Sequence, residues 1–241
     1  MRNTLALTRA EITRLSRNKR YFLFTLAVPV MLYLLFGKQK AIAEGVDFKV
    51  FYMLSMATMG AFSGALSGNA QRISQEKKEG WIRQLRLTPL PANAYVISKI
   101  LVSMATTVPS VLIVLVLGRF YGGVHLPAWQ WPVLAVTIWF GTTIFAALAI
   151  AIGYRYAPDQ VQAVSMFLYF GFAVLGGLWY PFSGFLGKIG EGLPTYQVTK
   201  ICADVVEGVS VPMGLVAGLV IWMVVFIGLA TAAVRSTAEN L

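Results

Sequence analysis

The chain has 241 residues, 57% of them hydrophobic and only 12% charged, with a mean hydropathy of +0.69; a soluble domain carries roughly a quarter charged residues, so a water-soluble globule is excluded. The net charge is +10, but the basic residues gather at the ends of apolar runs, where they set topology and face anionic lipid, and this excludes a nucleic-acid-binding surface. The single cysteine, Cys202, and the single histidine, His125, exclude an intramolecular disulfide, a CxxC redox pair, a thiolate metal site and an H-E-x-x-H zinc helix.

Residues 1–20 carry Arg2, Arg9, Arg14, Arg17, Lys19 and Arg20, with Leu5, Ile12 and Leu15 on one helical side. This pattern predicts an interfacial helix whose basic side chains reach the headgroups. The apolar run that follows has no small-x-small cleavage site at the right distance, so it is expected to be retained as a first span. About 20 apolar residues cross about 30 Å of hydrocarbon. On that measure six segments are expected to span: residues 21–37, 50–70, 100–118, 129–154, 160–180 and 211–234. None has Asp, Glu, Lys, Arg or His in its interior.

With the N-terminus inside, the outer segments hold only Lys38, Lys40, Lys49, Arg119, Lys188 and Lys200, and every other basic residue falls on the inner side. The positive-inside rule therefore predicts that both termini are cytoplasmic.

Between the second and third apolar runs lies a strongly polar insert, residues 71–90, QRISQEKKEGWIRQLRLTPL. Residues 72–78 are expected to continue the second span as a helix into water. Gly80 then permits a turn, and residues 81–87 form a short amphipathic helix that ends at Thr88, because a residue before proline is biased away from helical geometry. Pro91 suits the first turn of the next helix. The result is a compact elbow within residues 71–99, carrying Glu76, Glu79, Arg83 and Arg86. Charge alone would equally describe an ordinary positive-inside loop.

In the second span, Gly60, Gly64 and Gly68 form GxxxGxxxG, which lets helices approach closely. In the fifth, Phe167, Phe170 and Val174 fall on one face; they either line a pathway or pack against lipid and neighbouring helices, and the residues do not choose between these. The outer segment, residues 181–210, is divided by Pro181, Pro194 and Pro212 into two short helical pieces, 184–191 and 195–207. Helices dipping into the outer leaflet suit it better than a free loop. Asp204 and Glu207 share a helical face, and they are expected either to solvate the rim or to pair with Lys200, one turn from Asp204, rather than to do acid–base work. No nucleophile–base pair stands out: residues 60–64 and 64–68 place their serine one position too late for G-x-S-x-G.

The pattern E-x-x-E-G-x-x-x-x-L-R-x-T-P-L followed by Y-x-x-x-K, carried by Glu76, Glu79, Gly80, Leu85, Arg86, Thr88, Pro89, Leu90, Tyr95 and Lys99, resembles the loop between the second and third spans of type-2 ABC exporter permeases. Trp81 stands where that family more usually has Thr. The Pro-divided outer segment is similar to the family's re-entrant piece before the last span, and the likeness extends over the whole chain.

The resemblance implies an all-α integral membrane protein: one transmembrane domain over residues 1–241, with an N-terminal interfacial helix, six transmembrane helices, a cytoplasmic coupling elbow and extracellular re-entrant helices. It implies that Glu76, Glu79, Gly80, Trp81, Arg83, Leu85, Arg86 and Pro89 meet a separate ATPase subunit, which binds ATP and Mg. No G-x-x-x-x-G-K-S/T loop occurs in these residues, so no cofactor is expected in this chain and it is not expected to be an enzyme on its own. A second permease copy, most simply a homodimer in a bacterial inner membrane, is also implied. In the family the second and fifth spans line the pathway, which makes Phe167, Phe170, Val174, Gly60 and Gly64 the candidate lining. The expected function is export of a hydrophobic or amphipathic cargo such as a drug, antibiotic or lipid-like molecule. Polysaccharide or glycolipid export is the alternative within the class. An ion-coupled secondary transporter is a further alternative, disfavoured because such carriers usually hold ionisable residues within their spans.

Overall fold

A computed structural model describes residues 8–9, 11–13, 19–39, 42–43, 46–81, 84, 92–180, 182 and 184–239. Residues 8–9 and 11–13 are helical, and the rest of the expected interfacial helix lies outside the described residues. The first long helix, α1 (Lys19–Phe36), is followed by a minimal antiparallel ladder in which β1 (Ile42–Ala43) pairs with β2 (Val46–Asp47). Asp47 then caps α2 (Phe48–Ser63), its carboxylate accepting from the Lys49 backbone N–H at 3.1 Å.

α2 does not stop at Ser63. It passes through one π turn, Gly64–Gly68, into α3 (Asn69–Lys78), so a single rod runs from Phe48 to Lys78, 31 residues long. At 1.5 Å per residue the rod is about 46 Å long, well over the hydrocarbon thickness, so its polar α3 end projects beyond the apolar layer. At the π turn the Asn69 backbone N–H bonds Leu66 O, and the Asn69 side-chain amide donates to Ala65 O at 3.0 Å. A side chain thus satisfies a carbonyl that the irregular turn displaces. Gly80, at φ 75°, turns the chain away after α3.

Next come α4 (Ala92–Phe120) and α5 (Gln130–Arg155), then α6 (Pro158–Leu175), α7 (Gly184–Glu191), α8 (Pro194–Glu207) and α9 (Met213–Glu239). The two short pieces read in the outer segment are therefore helical; α8 starts on Pro194, where a missing N–H costs nothing, and stops at Gly208 with φ 71°. The fifth apolar run is shorter than expected. α6 ends at Leu175 because Gly176 and Gly177, the latter at φ 72°, break the helix, so Trp179 and Tyr180 lie beyond it.

Four helices among the described residues are long and apolar enough to cross a membrane: Phe48–Lys78, Tyr95–Phe120, Gln130–Arg155 and Met213–Ser236. The rod Phe48–Lys78 is the axis of the bundle, with 89% of its most apolar window buried. Two cores surround it. One joins α1, α2, α4, α5 and α8 around Tyr33, Tyr52, Met53, Met56 and Leu134. The other, nearer the elbow, joins the π turn and α3 to α5, α6 and α9 around Phe62, Leu66, Phe145 and Phe226. Phe62 holds the latter together, with ring centroids 4.2 Å from Phe145 and 5.3 Å from Tyr169.

Candidate functional site

The elbow end of the bundle is built on α3. Ile73 and Ser74 are buried and face α5. A Cβ on Gly153 would stand 2.7 Å from the Ile73 Cβ, so the glycine sets how closely the two helices approach. Ser74 Oγ donates to Tyr156 O at 2.9 Å, and Lys77 Nζ donates to Tyr154 O. These bonds tie the projecting end of α3 to the end of α5.

On another side of α3 is a buried ionic cluster. Glu76 is 4% exposed. Its Oε1 accepts from Lys99 Nζ at 2.8 Å, and its Oε2 lies 2.7 Å from the same nitrogen. Tyr95 Oη donates to Glu76 Oε2 at 2.7 Å. Lys99, 1% exposed, also donates to both carboxylate oxygens of Glu11, at 2.8 and 2.9 Å. The ammonium lies 4.9 Å from the centre of the Tyr95 ring, which adds a cation–π contact. One buried cation is therefore shared by two carboxylates from separate elements, so the N-terminal helical residues, α3 and α4 meet at a single nitrogen.

Of the residues assigned to the elbow, Glu76 points into this cluster rather than outward. Glu79 and Trp81 are exposed, and Gly80 lies at the turn between them. Gln75 Nε2 donates to Glu79 Oε1 at 2.9 Å and steadies its carboxylate. Arg83, Leu85, Arg86 and Pro89 lie outside the described residues. Glu11 escaped the sequence reading. It is the only acidic residue among the first twenty, and that isolation was the available signal. Tyr95 and Lys99 were marked by their motif without a role; their four-residue spacing places them on one face of α4.

The candidate lining residues do not share one surface. Phe167 is 78% exposed and Phe170 is 36% exposed, both on α6. The Phe170 ring meets Trp179 edge-on at 5.7 Å. Gly60 and Gly64 are buried in the central rod. A Cβ on Gly60 would collide with Ser110 Oγ of α4 and stand 3.2 Å from Pro29 Cγ of α1. This glycine therefore admits two neighbouring helices at once. At the opposite end, Lys200 Nζ pairs with Asp204 Oδ1 at 3.0 Å, one of the two arrangements the spacing allowed.

A helical bundle with several apolar spans, a polar rod end tied to α5 and a buried ionic cluster beside it has the form of an integral membrane subunit. The family model for the ABC-2 type transporter matches residues 2–191, and the chain belongs to that family. It is also 27% identical over 222 residues to the Bacillus subtilis (strain 168) protein named "Putative transport permease YvfS", covering 90% of this chain and 91% of that one. The chain is accordingly a membrane transport permease of an ABC system, which implies an ABC ATPase as its partner.

Proposed function

We propose that this protein is the permease subunit of an ATP-driven exporter, spanning the membrane six times with both termini in the cytoplasm and moving a hydrophobic or amphipathic cargo outward. The observation that carries this reading is the ionic cluster. A push on the exposed Glu79–Trp81 turn acts on α3, and α3 is fastened through Glu76 and Lys99 to the N-terminal helical residues and to α4. Displacing α3 alone would break a buried ion pair, which typically costs about 3–5 kcal/mol, so the elements are constrained to move together. In this scheme Glu79, Gly80 and Trp81, with Arg83, Leu85, Arg86 and Pro89, present the docking surface. Glu76 transmits the movement rather than touching the ATPase.

Two such permeases would form the pathway, with α7 and α8 dipping into the outer leaflet and α1 and α6 completing the spans. The exposed Phe167 and Phe170 of α6, with the half-buried Val174 on the same helical face, support an apolar pathway wall, and an apolar wall suits a drug- or lipid-like cargo. The deciding experiment reconstitutes the permease with the ATPase expected in the neighbouring reading frame and follows both ATP hydrolysis and cargo movement. Glu79→Arg is expected to leave the basal hydrolysis of the free ATPase intact while reducing permease-coupled transport at least tenfold, the loss of about 1.4 kcal/mol of coupling. Transport that persists in ATP-free vesicles under a proton gradient would overturn the reading in favour of an ion-coupled carrier.

A further inference from the structure

Between α4 and α5, on the side away from the central rod, runs a long open groove. Two adjoining cavities make it up, about 390 Å³ and 170 Å³, and Leu112 and Ala135 line both. Its walls are almost wholly apolar, with Leu112 and Val116 about half exposed. At the far end, Trp139 closes it and donates its indole N–H to Met104 O at 2.7 Å. At the mouth stand Arg119 and the 83% exposed Phe120.

Three features define an occupant. The first is length. From Val108 to Arg119 the helix rises about 16 Å, and one leaflet of hydrocarbon is about 15 Å deep. The groove therefore runs from the membrane–water boundary to the midplane, the course of one acyl chain. The second is charge. No carboxylate among the described residues pairs with Arg119. Its hydrogen bonds, to Val124 O at 3.3 Å and His125 Nδ1 at 2.7 Å, both leave from Nη1. Among the described residues Nε and Nη2 have no partner, which leaves them to grip a phosphate in the bidentate manner of guanidinium. The third is its surroundings. Lys38, seated 3.8 Å over the Tyr121 ring, adds a second cation at this end of α4, and the exposed Trp129 stands just before α5, at a span end where aromatic side chains are commonly found beside headgroups.

We propose that this groove binds one anionic phospholipid per chain, its phosphate on Arg119 and one acyl chain lying between α4 and α5 as far as Trp139. The proposal needs the chain to span a membrane but does not depend on the exporter reading, so its failure leaves that reading untouched.

The test is native mass spectrometry of the full-length protein in mild detergent with equal amounts of dioleoylphosphatidylglycerol or dioleoylphosphatidylcholine. The wild type is expected to retain phosphatidylglycerol several-fold better. Arg119→Gln, a change at an exposed side chain, is expected to hold the two lipids equally. Ala135→Phe, which fills the groove where its two cavities join, is expected to lose both, and Leu112→Trp does the same from the α4 wall should Ala135→Phe fail to fold. Equal retention of phosphatidylglycerol by the wild type, Arg119→Gln and a folded groove-filling variant would overturn the proposal. So would cross-links showing a second copy of the chain seated in the groove.

Discussion

Lys99 is the residue on which the elbow end turns. A single ammonium serves Glu11 and Glu76 from a position almost closed to water, so among the described residues two carboxylates share one cation. Burial of such groups is tolerated only because each carboxylate is hydrogen-bonded, Glu76 by Tyr95 as well as by the lysine. Replacing the cation is then far worse than replacing one anion, since Lys99→Met leaves two carboxylates side by side with no cation between them among the described residues. Lys99→Met is expected to lower stability by about 3–5 kcal/mol. Glu11→Gln, at an 11% exposed side chain that water can reach and with Glu76 still in place, should cost clearly less. Thermal melting of the two purified variants in one detergent measures the difference, and equal melting points would show that the ion pair has no such weight.

At the scale of elements, the central rod shows how much a pattern can say and where it stops. GxxxGxxxG indicated close helix approach, and Gly60 does admit Pro29 and Ser110 against its bare Cα. The same glycines also bound the π turn Gly64–Gly68, which no periodicity announced, because a π turn is a local concession to packing and not a preference of its residues. Gly60→Ala is expected to destabilise by about 1–3 kcal/mol through overpacking. Adding Ser110→Ala removes the colliding oxygen and leaves the Ser110 Cβ position 3.6 Å away, an ordinary contact. The double variant should therefore recover most of the loss, and a melting series on the two single variants and the pair reads this directly. If the losses simply add, the contact with Ser110 is not what fixes the glycine.

Over the whole molecule, the spans are unequal in their surroundings. The most apolar window of the rod Phe48–Lys78 is 89% buried, whereas that of Met213–Ser236 is only 11% buried. α9 leans chiefly on α5 through residues such as Phe226 and leaves Ile221, Val224 and Leu229 outward. A charge on that outward face meets hydrocarbon, so Val224→Asp is expected to penalise insertion by about 2.5–3.5 kcal/mol, while Val224→Leu is neutral. Yield of the membrane-inserted protein measures both, and unimpaired insertion of the Asp variant would mean that protein, not lipid, covers this face.

Four of the apolar runs, the polar end of the rod and the two short helices before the last span were legible in the chain because each follows from local rules: hydrocarbon thickness, helix rise, and the backbone limits of Gly and Pro. Membership of the transporter family was likewise visible in the motif around Glu79, Gly80, Tyr95 and Lys99. Only the tertiary structure decided which faces of those helices are inside. It turned Glu76 inward toward a lysine 23 residues away and brought in Glu11 from 88 residues before that lysine. It also set Gly60 against α1 and α4, away from the exposed Phe167. Sequence spacing governs neighbours along one helix, whereas a buried charge finds its partner across helices, where the requirement to compensate it in a low dielectric selects the arrangement.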